Sequence, residues 1–173
     1  MSVWGKIAGA ATGYVLGGVP GALLGSLAGH YAIDKTSDKQ VVFTIAVIAL
    51  AAKMTRADGT IHPNELEAVQ NVLRVPEREQ KNMARVFNLA QEDVAGFDAY
   101  AKQVAAIYAD NPQVLEDVLD MLFYIAYADG ELHPAEEAYL REVARIFATP
   151  ESHFKFIQAR HDTSIDDPYM VLG

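Results

Sequence analysis

Two short acidic segments of the sequence carry the residue types that could do chemistry. Residues 56–69 read RADGTIHPNELEAV, and residues 127–140 repeat the pattern as YADGELHPAEEAYL. The positions shared by the two copies offer two carboxylates and one imidazole each, which are groups that bind divalent cations. If the copies meet across a pseudo-twofold axis, their carboxylates form a candidate site for Ca²⁺, Zn²⁺ or Mn²⁺. The candidate ligands are Asp58, Glu65, Asp129 and Glu136, with His62 and His133 as possible additional ligands.

The repeated loop also has a purely structural interpretation as a helix corner. Gly59 and Gly130 would take the left-handed conformation that ends a helix, and the preceding Asp would accept nearby N–H groups. If the following His is the N-cap of the next helix, the Glu of each copy lies at its third position, where it caps the first turn. A third interpretation is a protein-binding surface, in which two adjacent acidic corners meet a basic partner.

The residues in front of each Asp-Gly pair argue against a calcium-binding EF-hand. The spacing from Asp to Glu matches the second half of such a loop. The first half would place at ligand positions four side chains that do not bind calcium and that continue a helical pattern: Met54, Arg56, Ile125 and Tyr127.

Composition and motifs exclude several other classes of function. Acidic residues outnumber basic ones, 23 to 14, so nucleic acid is not an expected partner. There is no cysteine, and the sequence contains no G-x-S-x-G, phosphate-loop or H-E-x-x-H motif, so we do not expect an enzyme. His153 and His161 lack an obvious acid–base partner and are predicted to be surface residues.

Residues 1–36 are predicted to be a glycine-rich membrane anchor. Residues 1–33 contain one Lys and none of the 23 acidic residues. Residues 7–33 would span roughly 40 Å as one helix, against about 30 Å for a bilayer core. Its glycines recur every four residues and form a groove that favours a homodimer in the membrane: Gly9, Gly13, Gly17, Gly21, Gly25 and Gly29. Residues 17–20, Gly-Gly-Val-Pro, leave a helical hairpin as an alternative to one span.

Residues 37–160 are predicted to form an all-α bundle of about seven helices, punctuated by Pro and Gly. Ser37 or Asp38 is expected to cap the first helix, and Thr149 the last, with Pro150 at its first helical position. Residues 41–52 and 118–126 are apolar almost all round, which predicts two central helices. The repeated loop follows each of them directly, so the bundle contains a duplicated helix-loop-helix. The predicted helices cover 39–57, 63–75, 76–90, 97–109, 112–128, 134–148 and 150–161.

The ADGxxHPxE loop after an apolar helix resembles the TerB-like fold, a helical domain associated with tellurite resistance. Residues 4–34 look like the membrane anchor of DjlA-like proteins, which are membrane-bound DnaJ co-chaperones. Residues 161–173 look like a linker followed by the first line of a J-domain. Four of these residues match its pattern Asp-x-Tyr-x-x-Leu-Gly: Asp167, Tyr169, Leu172 and Gly173.

The resemblance implies a single-pass protein of the bacterial inner membrane with a cytoplasmic C-terminal body. It also implies a J-domain that recruits a DnaK-type chaperone, but the His-Pro-Asp tripeptide of J-domains is absent. We therefore expect a fragment that carries the anchor and a TerB-like regulatory module. A metal role in that family would fall on Asp58, Glu65, Asp129 and Glu136, which leaves a metal-binding stress-response or tellurite-resistance protein as the alternative.

Overall fold

The structure is a computed structural model that describes residues 36–57, 59, 62–92 and 96–162. In this part of the chain every regular element is helical, which confirms the all-α prediction and the predicted number of helices. Two single 3₁₀ turns, Glu77–Glu79 and Tyr127–Asp129, accompany the α-helices. The α-helices are α1 Thr36–Thr55, α2 Pro63–Val72, α3 Gln80–Glu92, α4 Phe97–Ile107, α5 Pro112–Ala126, α6 Pro134–Ile146 and α7 Glu151–His161.

Helix α1 is the centre of the bundle. Its residues from 45 to 52 are all fully buried, because α3, α4, α5 and α6 pack around them. A helix that is apolar on every side can exist in water only when neighbouring helices cover it completely. The sequence prediction of a central helix is therefore confirmed for α1.

Helix α5 is central on one side only, which corrects the second half of that prediction. Leu119, Leu122 and Phe123 are buried, whereas Asp120 is partly exposed and Tyr124 is 45% exposed. The outward side is covered in part by α7, which packs mainly on α5. Helix α5 therefore presents a mixed polar and aromatic face next to α7.

Several helix ends differ from their predicted positions. Helix α1 already includes Ser37 and Asp38, so neither residue caps it, and the N-cap of α7 is Pro150 rather than Thr149. Shifts of one or two residues are usual at helix ends, which fray. Helices α2 and α6 end earlier than predicted because Arg74 and Ala148 adopt left-handed conformations with φ of 49° and 55°.

The duplicated units make the reciprocal contacts that a pseudo-twofold axis predicts. In such an arrangement α1 corresponds to α5, and α2 corresponds to α6. If α1 contacts α6, then α5 should contact α2, and both of these contacts are present. Helices α1 and α5 also touch each other directly. The buried hydroxyl of Tyr139 on α6 donates a hydrogen bond of 2.8 Å to the Leu50 carbonyl on α1, which ties the two units together.

Some sequence predictions fall on residues outside the described part of the chain. These are nearly all of the anchor with its glycine row, the J-domain start at residues 167–173, and Asp58. Among the helices that the structure describes, none combines the length and the apolar character needed to cross a membrane.

Candidate functional site

The described residues of the two repeated loops have matching helix-corner geometry. Gly59 and Gly130 have φ of 81° and 95°, the left-handed conformation that glycine adopts without strain. His62 and His133 are the N-caps of α2 and α6, and a proline follows each of them at the first helical position. The helix-corner geometry expected from the sequence is therefore present, and it fixes where each functional side chain points.

The spacing shared by the two copies places one glutamate over the start of its own helix. The N–H group of His62 donates to Glu65 Oε2 at 3.0 Å, and that of His133 donates to Glu136 Oε2 at 3.1 Å. Both glutamates lie at the third helical position, as a capping box requires. They are almost fully buried, with 1% and 0% of the residue exposed.

Glu65 and Glu136 also face each other: the Glu65 carboxyl raises the pKa of Glu136 through a hydrogen bond to it and through its negative charge. Such a bond needs one shared proton, because a carboxylate can only accept. Burial, followed by the hydrogen bond to Glu65 and its charge, raises the pKa of Glu136 to about 7, although the His133 N–H group and ring charge oppose the shift. Among the described residues no group donates to the buried Oε1 of Glu136, so this atom has no hydrogen-bond partner in the structure.

The two histidine rings stack on the outer side of this carboxyl pair. Their centroids are 6.3 Å apart and their planes differ by 8°. Asp129 lies beside them: its Oδ2 is 3.2 Å from His133 Nε2, and its Oδ1 accepts the Glu131 N–H at 3.1 Å. One ligand atom from each of His62, Asp129 and His133 lies within 4.8 Å of the other two.

The predicted ligands are thus divided between two neighbouring groups. His62, Asp129 and His133 form a half-exposed cluster, whereas Glu65 and Glu136 form the buried pair behind it. Two imidazoles and one carboxylate are a typical zinc ligand set, and tetrahedral zinc with bonds near 2.1 Å separates its ligand atoms by roughly 3.4 Å. The three ligand atoms, which lie within 4.8 Å of one another, would have to approach each other to hold such an ion. The all-oxygen shell that calcium prefers is not assembled by these three side chains.

His153 and His161 have acidic partners, contrary to the prediction from the sequence. His153 Nδ1 lies 2.6 Å from Glu116, and His161 Nε2 lies 2.8 Å from Asp120, so both histidines join α7 to α5. The His161 side chain is only 16% exposed, and its ring also stacks on Phe123. The sequence did contain a signal for this pairing: Glu116 and Asp120 are one helical turn apart on α5, and His153 and His161 are two turns apart on α7, so each pair lies on one face of its helix.

Comparison with known proteins adds the family. Residues 44–161, which are more than half of the chain, match the family model described as tellurite resistance protein TerB. The chain belongs to the TerB family. Its TerB domain begins inside α1 and ends at the last residue of α7, so it contains both repeats and the whole candidate site.

A second family match covers the N-terminal part of the chain. Residues 1–44 match the model described as co-chaperone DjlA transmembrane domain, which confirms the resemblance to a DjlA-type anchor and indicates a membrane-anchored bacterial protein. The co-chaperone protein DjlA of Photobacterium profundum is 27% identical over 166 residues, an alignment that covers 83% of this chain. The chain spans 60% of the length of that curated relative. No solved structure matches the chain significantly.

Proposed function

We propose that the TerB domain is the regulatory and interaction module of a membrane-anchored, DjlA-like co-chaperone. The observation that carries the proposal is the order of the two family matches, which meet at residue 44 within a single helix. The curated relative named as a co-chaperone aligns with most of the present chain. On this proposal the domain acts by binding and positioning rather than by catalysis.

The continuity of α1 supports a positioning role. The DjlA-type transmembrane match extends over the first nine residues of α1, and the buried part of the same helix is the centre of the TerB domain. A continuous helix transmits orientation, whereas a flexible linker does not. On this proposal the bundle is held at a fixed angle to the segment that precedes it.

The co-chaperone proposal is tested with the protein extended through its downstream coding sequence and placed in lipid nanodiscs. We expect the extended protein to stimulate the ATPase of a DnaK-type chaperone, and the chain that ends at Gly173 not to do so. Replacing residues 63–161 by a flexible linker tests the regulatory part, because the stimulation should then change. An extended protein without stimulation contradicts the co-chaperone role, and an unchanged rate after the replacement contradicts the regulatory one.

Topology and self-association form a separate part of the proposal. We place the C-terminal body in the cytoplasm on a single span, with homodimer contacts along the glycine row. Protease should digest the body in inverted membrane vesicles and spare it in intact spheroplasts; the reverse pattern excludes the orientation. Replacing Gly13, Gly17 and Gly21 by Leu should abolish a detergent-solubilised dimer, because bulky side chains fill the groove. An unchanged oligomer excludes dimerisation through that groove.

A second candidate function is divalent metal binding, favoured by the convergence of His62, Asp129 and His133. The three side chains would hold the ion, which would link the two repeated corners directly. A zinc ion would be preferred over calcium because two of the ligands are imidazole nitrogens. Glu65 and Glu136 would support the site from behind through the N–H groups of the two ligand histidines.

Calorimetric titration of the chelator-treated protein with Zn²⁺, Mn²⁺ and Ca²⁺ tests the metal site. We expect one Zn²⁺ per chain and weaker or no binding of Ca²⁺. His133→Ala and Asp129→Asn should each weaken zinc binding roughly tenfold or more, since each removes one of three ligands. Glu131→Gln changes an exposed neighbour and serves as the matched control. No heat at millimolar zinc would exclude the site.

A further inference from the structure

Helices α5 and α7 each expose one large aromatic side chain. Among the described residues the large exposed hydrophobic side chains are Tyr124, on α5, and Phe156, on α7, with 45% and 65% of the residue exposed. Phe156 makes no part of the core: α7 packs through Phe154 and Ile157 instead. An exposed aromatic side chain with a polar rim is typical of an interaction surface.

A cleft of about 540 Å³ lies between the exposed sides of the two helices, beside Phe156. One wall is the acidic side of α5, with Glu116, Asp117 and Asp120. The other wall is formed by α7, where Phe156 and Arg160 face the cleft. The cleft therefore combines an exposed aromatic ring with a row of carboxylates.

The charges in the cleft do not balance. Three carboxylates face one guanidinium, that of Arg160, which lies 3.2 Å from Asp120. The other two carboxylates lie beside an imidazole and an amide, Glu116 next to His153 and Asp117 next to the Gln113 amide at 3.0 Å. Exposed pairs of this kind contribute little stability, so a cationic partner can replace them at low cost.

The surface continues beyond the cleft. A second cleft, of about 450 Å³, lies between α2, α5 and the end of α7, and Tyr124, Tyr127 and His161 line it. Arg160 lines both clefts, so they lie on either side of its side chain. Together they follow α5 from Gln113 to its end and continue to Ala128 in the 3₁₀ turn, a length of roughly 22 Å.

We propose that this α5–α7 surface is the docking site for a basic amphipathic segment of another protein. Cationic side chains of that segment meet Glu116, Asp117 and Asp120, and an apolar side chain covers Phe156. The occupant is argued from charge complementarity, since a second copy of this chain carries a net charge of −9 and repels an acidic cleft. The site is separate from the two repeated corners, and the proposal does not depend on metal binding there.

The test uses the full chain in phosphatidylcholine nanodiscs and a fluorescein-labelled helical peptide, about four turns long, built from Lys and Leu. A peptide with Glu in place of every Lys is the matched control, and empty nanodiscs give the lipid background. We expect saturable binding of the basic peptide that weakens with added salt, because exposed charges are screened. The acidic peptide should not bind.

Substitutions on and off the α5–α7 surface test where the basic peptide binds. Phe156→Ala should weaken the basic peptide roughly tenfold, as expected for an aromatic residue at the centre of an interface. The double change Glu116→Gln with Asp117→Asn should weaken it and reduce the salt dependence. Glu77→Gln with Glu92→Gln removes two exposed charges outside α5 and α7 and should leave affinity unchanged. Asp117→Lys, at an exposed position, provides a charge reversal with little risk to folding.

Each other outcome overturns the proposal. Equal binding of the acidic peptide, or equal losses in the control variant, would show that the peptide does not recognise this surface. Binding that survives Phe156→Ala and Asp117→Lys would place the peptide elsewhere. If sedimentation shows a dimer of the chain that Phe156→Ala dissociates, a second copy is the occupant instead.

Discussion

The buried carboxyl pair Glu65–Glu136 makes the stability of the domain depend on pH in an unusual direction. Folding raises the pKa of Glu136 from 4.5 to about 7, because burial and the facing carboxyl disfavour its charge. The folded chain therefore keeps a proton that the unfolded chain has already lost. The contribution of Glu136 to the free energy of unfolding therefore falls as the pH rises from about 4.5 to about 7, by on the order of 3 kcal/mol for a shift of that size.

Glu136→Gln should remove this part of the pH dependence, since the amide can donate to Glu65 without titrating. We expect the difference in unfolding free energy, wild type minus variant, to decrease between about pH 5 and about pH 8. Urea unfolding in chelator-containing buffers at several pH values measures it. Glu131→Gln changes a neighbouring exposed carboxylate and should leave the pH dependence as it is. Parallel curves for wild type and Glu136→Gln would show that the pair does not share a proton.

Two residues at helix ends, Gly130 and Ala148, have left-handed backbone conformations and give a matched pair of substitutions. Gly130 has φ of 95°, and no atom lies within 4 Å of the place that a Cβ would take, so Gly130→Ala costs only its left-handed conformation, about 1 kcal/mol. Ala148 holds φ of 55° at the end of α6, so Ala148→Gly should stabilise by up to about 1 kcal/mol. Thermal or urea unfolding measures both changes. Shifts of the same sign would contradict this account.

Helix α7 is attached to the bundle mainly through the buried ring of Phe154. Phe154 is 1% exposed, packs on Phe123 at 5.2 Å and lies under the Arg141 guanidinium at 4.6 Å. Arg141 also reaches Glu151 at 2.9 Å, so α6 and α5 both hold the start of α7. The histidine–carboxylate pairs add contacts along the same interface.

Phe154→Ala should therefore destabilise the protein by roughly 3–5 kcal/mol, the usual cost of removing a buried aromatic ring. Phe156→Ala, two residues away on the exposed side, should change stability by less than about 0.5 kcal/mol. Urea unfolding of both variants under the same conditions provides the comparison. Similar losses for the two changes would mean that Phe156 is part of the core.

The sequence predicted the positions of the helices better than the contacts between them. Pro, Gly and apolar spacing located every described helix, and the Asp-Gly and His-Pro pairs located both corners, because these signals are local. The burial of Glu136 and the pairing of His161 with Asp120 were not predictable in this way, since each depends on a partner far away in sequence. The outward face of α5 was missed for the same reason: Tyr124 looks like a core residue until α7 is placed.

The candidate site was predictable in composition but not in arrangement. The sequence indicated six polar residues around one axis, and the structure separates five of them into an outer His–Asp–His cluster and an inner Glu–Glu pair. Nothing in the residue types distinguishes a glutamate that caps a buried helix start from one that faces solvent. That difference follows from how α2 and α6 approach each other.

At the scale of the whole molecule, packing predicts a gradient of local stability. Residues 45–52 of α1 are fully buried among four helices, whereas α7 packs chiefly on α5. We expect hydrogen exchange of the backbone amides to be slowest in α1 and distinctly faster in α7, because local opening is easier at the edge of a bundle. Mass-spectrometric exchange on the full chain measures this order. Equal protection of α1 and α7 would contradict the gradient.

The length of α1 separates the two ends of the domain, in addition to the orientation that its direction gives. Its 20 residues measure roughly 30 Å from the end that belongs to the transmembrane match to the end that leads into the first corner. His161, at the last turn of α7, stacks on Tyr127 beside the second corner, so the chain leaves the domain at this far end. On the proposal that the transmembrane match crosses the bilayer, a segment that follows this end would start beyond residues 45–55 of α1, the part outside that match, which measures roughly 16 Å.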